Sequence, residues 1–194
     1  MPGDGTKIRE SSSRGLRETA IVSPCGRAPL PVESWQPPYC GDIGLKIRAD
    51  GQWLYQGSPI RREALVRLFS SVLRKDADGR TYLVTPAEKI DVAVEDAPFL
   101  AVAMEVRGEG RAQELTFTTN VGDIVACGPR RPLRFAVQEP GGGLKPYLLV
   151  RGRLEALLTR ALAYDLAALA VEDAREGRSC LGVWSAGAFF PMDG

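Results

Sequence analysis

Turn signals punctuate this chain so often that only short elements fit between them. Asp50-Gly51, Asp78-Gly79, Gly108-Glu109-Gly110, Gly141-Gly142-Gly143 and Ser185-Ala186-Gly187 all supply residues that reverse a backbone cheaply. Between them lie strand-like runs: Leu45–Ala49 and Gln52–Gln56 around the Asp-Gly turn, Tyr82–Thr85 and Ile90–Val94 on either side of Pro86, Phe99–Val106 and Glu114–Thr119, Ile124–Cys127, Leu133–Val137, Tyr147–Val150, Cys180–Trp184 and Ala188–Phe190. Asp-Gly between two such runs is a strong hairpin signal. Two segments carry a helical stripe instead. Leu65, Leu68, Phe69, Val72 and Leu73 predict a helix from Arg61 or Arg62 that ends by Asp76. Leu154, Leu157, Leu158, Ala161 and Leu169 predict a longer one over Arg153–Val171. The expected class is α+β.

The order strand, turn, strand, glycine, helix, strand, strand reads twice. Gly57 and Gly152 precede the two helical segments, and Glu-Ala-Leu opens both, at Glu63–Leu65 and Glu155–Leu157. Glu, Ala and Leu are all good helix formers, so the tripeptide alone means little. The repeated order points to two related halves, each of strands plus one helix, against coincidence between two ordinary hairpin units. The expected organisation is a disordered tail over 1–34, rich in Gly, Ser and Pro, an N-terminal α+β domain over 35–98, and a C-terminal domain over 99–194.

Composition excludes several chemistries. The 194 residues contain no histidine, which removes Ser/His, Cys/His and His-metal mechanisms together. With 25 basic and 24 acidic side chains, no strongly basic field suits a nucleic acid polymer. Cys25, Cys40, Cys127 and Cys180 form no Cys-x-x-Cys pair, so neither a metal nor a cofactor is expected. The first ten residues lack an apolar signal core, and no run approaches the ~20 apolar residues of a membrane span. A cytoplasmic protein with reduced cysteines and no membrane contact is expected.

The glycines of the 108–110 and 141–143 loops lie between strands, so they read as turns and not as a dinucleotide fingerprint. Trp184-Ser185-Ala186-Gly187 resembles a nucleophile elbow only superficially, because Val183 stands where the first glycine should and no histidine can serve as base. The segment Thr118–Asp123 concentrates short hydrogen-bonding side chains, which suit either a turn or the polar edge of a ligand. Arg151 follows an apolar strand and, with Gly152, precedes the second predicted helix. That is a place to hold phosphate or carboxylate, or to pair with an acid such as Glu155. Thr85, Glu88, Lys89 and Asp96 flank one strand, and their carboxylates also suit structural bridges. Trp35 either seals the core edge or offers a platform for a planar ligand.

Taken together, Pro37–Asp42, Gly51–Ile60, Leu65–Ser70, Tyr82–Lys89, Glu95–Phe99, Thr119–Asp123, Val150-Arg151 and Trp184–Gly187 resemble, in order, the bacterial family called domain of unknown function 1285. The resemblance covers the chain from about Trp35 to its end. It implies a duplicated α+β core whose C-terminal half is a pleckstrin-homology-like barrel or sheet with a capping helix. It also implies a nucleotide-type ligand site in a cleft between the halves and a role in signalling, with no enzyme activity established. The long N-terminal segment departs from the family pattern. So does Arg130-Arg131-Pro132, where acidic and histidine residues are associated with that loop.

The expected function is therefore non-catalytic binding of a small anionic, nucleotide-like ligand between the domains. Lys89 and Arg151 would contact charge, Thr119, Asn120 and Asp123 polar edges, and Trp35 a ring, with Thr85, Glu88 and Asp96 completing the set. A protein-interaction module that engages a protein partner through a sheet edge is the alternative, and a carboxylate-based enzyme is the third class.

Overall fold

The computed structural model describes residues 30–138, 143–175 and 178–192. The predicted tail up to residue 29, Cys25 within it, and Gly141 and Gly142 lie outside the described residues. Before Trp35, within the segment expected to be tail, Val32–Ser34 forms a 3-10 turn that buries Val32. The Arg74 guanidinium holds this segment, with Nη1 donating to the carbonyls of Val32 at 2.9 Å and Trp35 at 2.7 Å.

The first half comprises β1 (Tyr39–Ile47), β2 (Trp53–Tyr55), β3 (Ser58–Pro59), α1 (Glu63–Ser71), β4 (Leu73–Lys75), β5 (Thr81–Val84) and β6 (Lys89–Val94). Its strand order is β3-β2-β1-β6-β5-β4, antiparallel except for the parallel β1–β6 seam. The Asp50-Gly51 hairpin forms as the sequence predicts, with Gly51 at φ 79° and Ile47 opposite Trp53.

The helix differs from expectation. It stops at Ser71, and Leu73 joins β4 opposite Leu83, so Asp78-Gly79 closes a β4–β5 hairpin instead of following a helix. Val66, Phe69 and Ser70 face inward, and Phe69 lies against Trp53 with ring centroids 6.0 Å apart. Leu68, predicted to be inside, is 58% exposed, because this short helix rests on the sheets along one flank only.

The second half comprises β7 (Phe99–Arg107), β8 (Glu114–Thr119), β9 (Ile124–Ala126), β10 (Leu133–Gln138), β11 (Gly143–Arg151), β12 (Leu154–Leu158), α2 (Arg160–Ala167), β13 (Val171–Arg175), β14 (Arg178–Ser185) and β15 (Ala188–Pro191). Six of these strands form a curled, half-barrel sheet in the order β10-β11-β12-β7-β8-β9, and β13-β14-β15 form a smaller one. The predicted helix over Arg153–Val171 is thus a strand, a shorter helix and the start of another strand. Leu154, Ala156 and Leu158 are buried while Glu155 and Leu157 between them are half exposed, a period of two. β12 hydrogen-bonds on both sides, antiparallel to β11 and parallel to β7, and this tertiary pairing overrides the helix preference of Glu-Ala-Leu.

The halves are related through their sheets. In each, three strands run outward from the seam, three return, and the first strand pairs parallel with the last: β1 with β6, and β7 with β12. The helices sit at different places, α1 between the third and fourth strands and α2 after the sixth. One apolar core joins both halves, from Ile47, Trp53 and Leu73 to Phe99, Phe117, Leu148 and Leu166.

Candidate functional site

The C-terminal half is open along one side of α2. Leu162 and Leu166, one turn apart, are buried and seat the helix against β7 and β12. Arg160, Ala163, Tyr164 and Ala167 fall at i, i+3, i+4 and i+7, a single neighbouring stripe. This stripe forms one wall of a groove of about 670 Å³. Phe135, Leu144, Pro146, Leu158 and Met192 contribute apolar surface to the other walls. Ala163 and Ala167 leave the space, since longer side chains there would enter it. A second cavity of about 430 Å³ shares Leu144, Ala167 and Met192 with the first and continues to Ser179, Cys180 and Leu181. Both volumes lie in the range of small-molecule sites.

Arg160 is the outstanding polar group of the groove. Its Nε and Nη2 donate to the Tyr164 hydroxyl at 3.4 and 3.2 Å, and the guanidinium carbon lies 5.7 Å from that ring's centroid. No carboxylate within 4.0 Å pairs with it among the described residues. Lys145, also on the rim, is held by Asp96 at 2.8 Å. Tyr164 is 63% exposed, and its hydroxyl keeps its own proton to donate.

The residues singled out from sequence form hydrogen-bonded groups of their own. In the turn between β8 and β9, the Thr119 hydroxyl accepts from the Asp123 amide at 2.9 Å. Asn120 exchanges two hydrogen bonds with the Leu100 backbone, 2.8 and 3.0 Å long. Arg151 Nη1 donates to Asp123 at 2.8 Å, Nη2 donates to the Ser70 carbonyl of α1, and the guanidinium lies 5.0 Å over the Phe99 ring. Its acidic partner is thus Asp123, while Glu155 binds Arg134 at 2.7 and 2.9 Å. No helix begins beside Gly152. A Cβ there would meet Glu33 Oε1 at 2.5 Å, so the protein's own carboxylate stands where an anion was expected.

Lys89 reaches Asp76 at 3.2 Å and sits 4.3 Å over Tyr82. Arg74 also binds Asp76, at 2.6 Å, which links Lys89 to the Trp35 carbonyl. Trp35 itself packs partly buried against the core. The Thr85 hydroxyl accepts from the amides of Ala87 and Glu88, closing the β5–β6 turn and leaving the Glu88 side chain exposed. Asp96 accepts from Lys145 and from the Tyr147 hydroxyl, at 2.8 and 2.7 Å. Burial alone would raise the Asp96 carboxyl, but these two hydrogen bonds outweigh it and hold the group below its usual range. The structure therefore gathers Thr119, Asp123 and Arg151 into one cluster of the C-terminal half, which Arg151 joins to α1 through Ser70, and ties Trp35 and Lys89 into the Arg74–Asp76 network.

Two reactive types are occupied structurally. Ser185 is fully buried, donating to the Cys127 carbonyl and accepting from the Leu115 amide, both at 2.9 Å. Burial pushes the Cys127 thiol up to about 12, far from thiolate chemistry. Among the described residues, no group of three or more His, Cys, Asp or Glu could hold a metal ion, and no helix is long and apolar enough to cross a membrane.

Sequence reasoning missed Arg160, Tyr164 and their groove. The stripe at 160, 163, 164 and 167 is present in the sequence, overlaid by the leucine stripe of the longer predicted helix.

Fold and surface define a two-domain, mostly β, α+β protein in which each half is a sheet with one helix. The chain belongs to the DUF1285 family: residues 30–97 match the model described as "Domain of unknown function (DUF1285), N-terminal domain", and residues 98–192 match "Protein of unknown function (DUF1285), C-terminal domain". A solved DUF1285 family protein from Silicibacter pomeroyi DSS-3 is similar over 85% of this chain and 87% of its own, with 49% identity and a TM-score of 0.78. Another, from Shewanella baltica OS155, shares 28% identity over 63% of this chain and 89% of its own, with a TM-score of 0.49. No curated protein matches the chain.

Proposed function

We propose that this protein is a non-catalytic receptor for a small anionic ligand, bound in the groove between α2 and the curled sheet. One observation carries the reading: Arg160, at the rim of an apolar groove, has a neutral hydroxyl as its partner and, among the described residues, no carboxylate. An anion there gains a charge-assisted hydrogen bond, stronger than a neutral one, while its apolar body leaves water. The cleft between the halves is the weaker candidate, because Arg151, Asp123 and Asp96 already hydrogen-bond protein groups. A signalling role suits binding without chemistry. We place the site of action in the bacterial cytoplasm, in keeping with the free thiols of Cys40, Cys127 and Cys180.

The test is a thermal-stability panel of small carboxylates, organophosphates and nucleoside monophosphates, each run beside a neutral analogue. At 100 times its dissociation constant a true ligand adds about 2.7 kcal/mol of apparent stability. Ala163→Trp, which fills the groove from a half-exposed position, removes that gain. A gain that survives Ala163→Trp places the ligand elsewhere, and a panel without any stabilising anion defeats the proposal.

A further inference from the structure

We propose that the groove's ligand is an unbranched acyl carboxylate, with its head at Arg160 and its tail running along α2 into the second cavity. This rests on the groove reading above and adds the ligand's chemical class.

Length is the first argument. Arg160 and Ala167 are the first and last residues of α2, so the wall they bound is about 11 Å long at 1.5 Å per residue. Beyond Ala167 the second cavity carries the path on, past Leu144 and Met192, to Leu181. The two cavities adjoin where Leu144, Ala167 and Met192 line both. A planar ring fills the first cavity only, whereas a flexible chain follows both.

The second argument is the distribution of polarity. Phe135, Leu144, Pro146, Leu158, Ala163 and Met192 are apolar along the body of the path, and Met192 adds a pliable thioether surface. Leu181 at the far end is 51% exposed, an apolar side chain that a tail would cover. Arg160, by contrast, stands at the beginning, where α2 starts. Its planar fork matches a carboxylate bidentately, and the Tyr164 hydroxyl beside it donates to the same oxygens. An apolar groove with a cation at one end is complementary to a chain that carries its charge at one end.

The experiment is calorimetric titration of the full chain with decanoate below its micellar concentration, hexanoate and decanol, repeated on Ala167→Trp. Ala167 is exposed on the helix surface, so the indole blocks the junction without entering the core. Circular dichroism and thermal melting confirm that the variant folds. Decanoate is expected to bind at least tenfold more tightly than hexanoate and at least tenfold more tightly than decanol. Ala167→Trp is expected to weaken decanoate far more than hexanoate and so to remove the tenfold difference between them. Equal affinity for hexanoate and decanoate, or a decanoate preference that survives Ala167→Trp, overturns the acyl assignment while a small-anion site at Arg160 stands. Binding of decanol as tight as that of decanoate overturns the head-group assignment. Failure of all three ligands to bind overturns the acyl proposal, and the groove reading then rests on the phosphates of the wider panel.

Discussion

The Arg151 guanidinium lies 2.8 Å from the Asp123 carboxylate, and its other terminal nitrogen donates to the Ser70 carbonyl at the end of α1. The pair is largely buried, at 18% and 9% side-chain exposure, and the Ser70 hydrogen bond ties it, from within the C-terminal half, to the N-terminal half. Arg151→Ala leaves Asp123 buried without its cation and Ser70 without its donor, a change that costs about 3–5 kcal/mol when a buried pair loses one member. Arg151→Lys keeps the charge but loses the fork, and recovers part of the loss. Chemical denaturation of the two variants measures this. A loss below about 1 kcal/mol for Arg151→Ala would mean that the bridge does not hold the halves together.

The two neighbouring apolar residues of α1 separate in the same assay. Phe69 is half buried against Trp53, so Phe69→Ala falls below the range for fully buried aromatics, at about 1–3 kcal/mol. Leu68 faces outward, and Leu68→Ala stays within about 0.5 kcal/mol. The reverse order would put the other face of the helix inside.

Two tyrosines set an alkaline limit. The hydrogen bond to Asp78 pushes Tyr82 up to about 12, and burial together with the bond to Asp96 pushes Tyr147 up to about 12. Their protonated forms are favoured in the folded state, so this contribution is fully present below the ordinary phenol value near 10. It is lost as pH rises from about 10 through about 12. Phenolate absorbance of the native protein should show two tyrosines titrating late, and Tyr147→Phe should remove one of them. Titration of every tyrosine near 10 while the protein remains folded contradicts these two contacts.

Legibility in the sequence followed the range of the forces involved. The β1–β2 hairpin was readable because Asp50-Gly51 dictates its own turn. The segment Leu154–Leu158 was not, because its leucines fit a helical stripe while Leu154, Ala156 and Leu158 fit a strand's alternation. The parallel neighbour β7, more than fifty residues earlier in the chain, decides between them. The repeated order in the sequence sets Glu63–Leu65 against Glu155–Leu157, whereas the sheets correspond as β1–β6 with β7–β12, so the halves are related by the six-stranded sheet with its parallel seam and not by the helices that suggested it. Thr119 and Asp123 read as part of one polar segment and Arg151 as a separate cation at a strand end. Their use was hidden because Arg151 finds partners 28 and 81 residues away. Arg160 was hidden for the opposite reason: an arginine on an exposed helix face has no local signature until the groove beside it is seen.

The central claim is that an anion binds at α2 and not in the cleft between the halves. Backbone amide resonances of the isotope-labelled chain, followed during titration with the best anion of the panel, locate the site directly. Shifts are expected to concentrate on Arg160, Ala163, Tyr164 and Ala167 and on the facing Leu144 and Met192, with affinity reduced about ten- to a hundredfold in Arg160→Gln, as loss of one charge-assisted hydrogen bond entails. Shifts concentrated on Thr119, Asn120, Asp123 and Arg151, with Arg160→Gln binding as tightly as the parent chain, would contradict it.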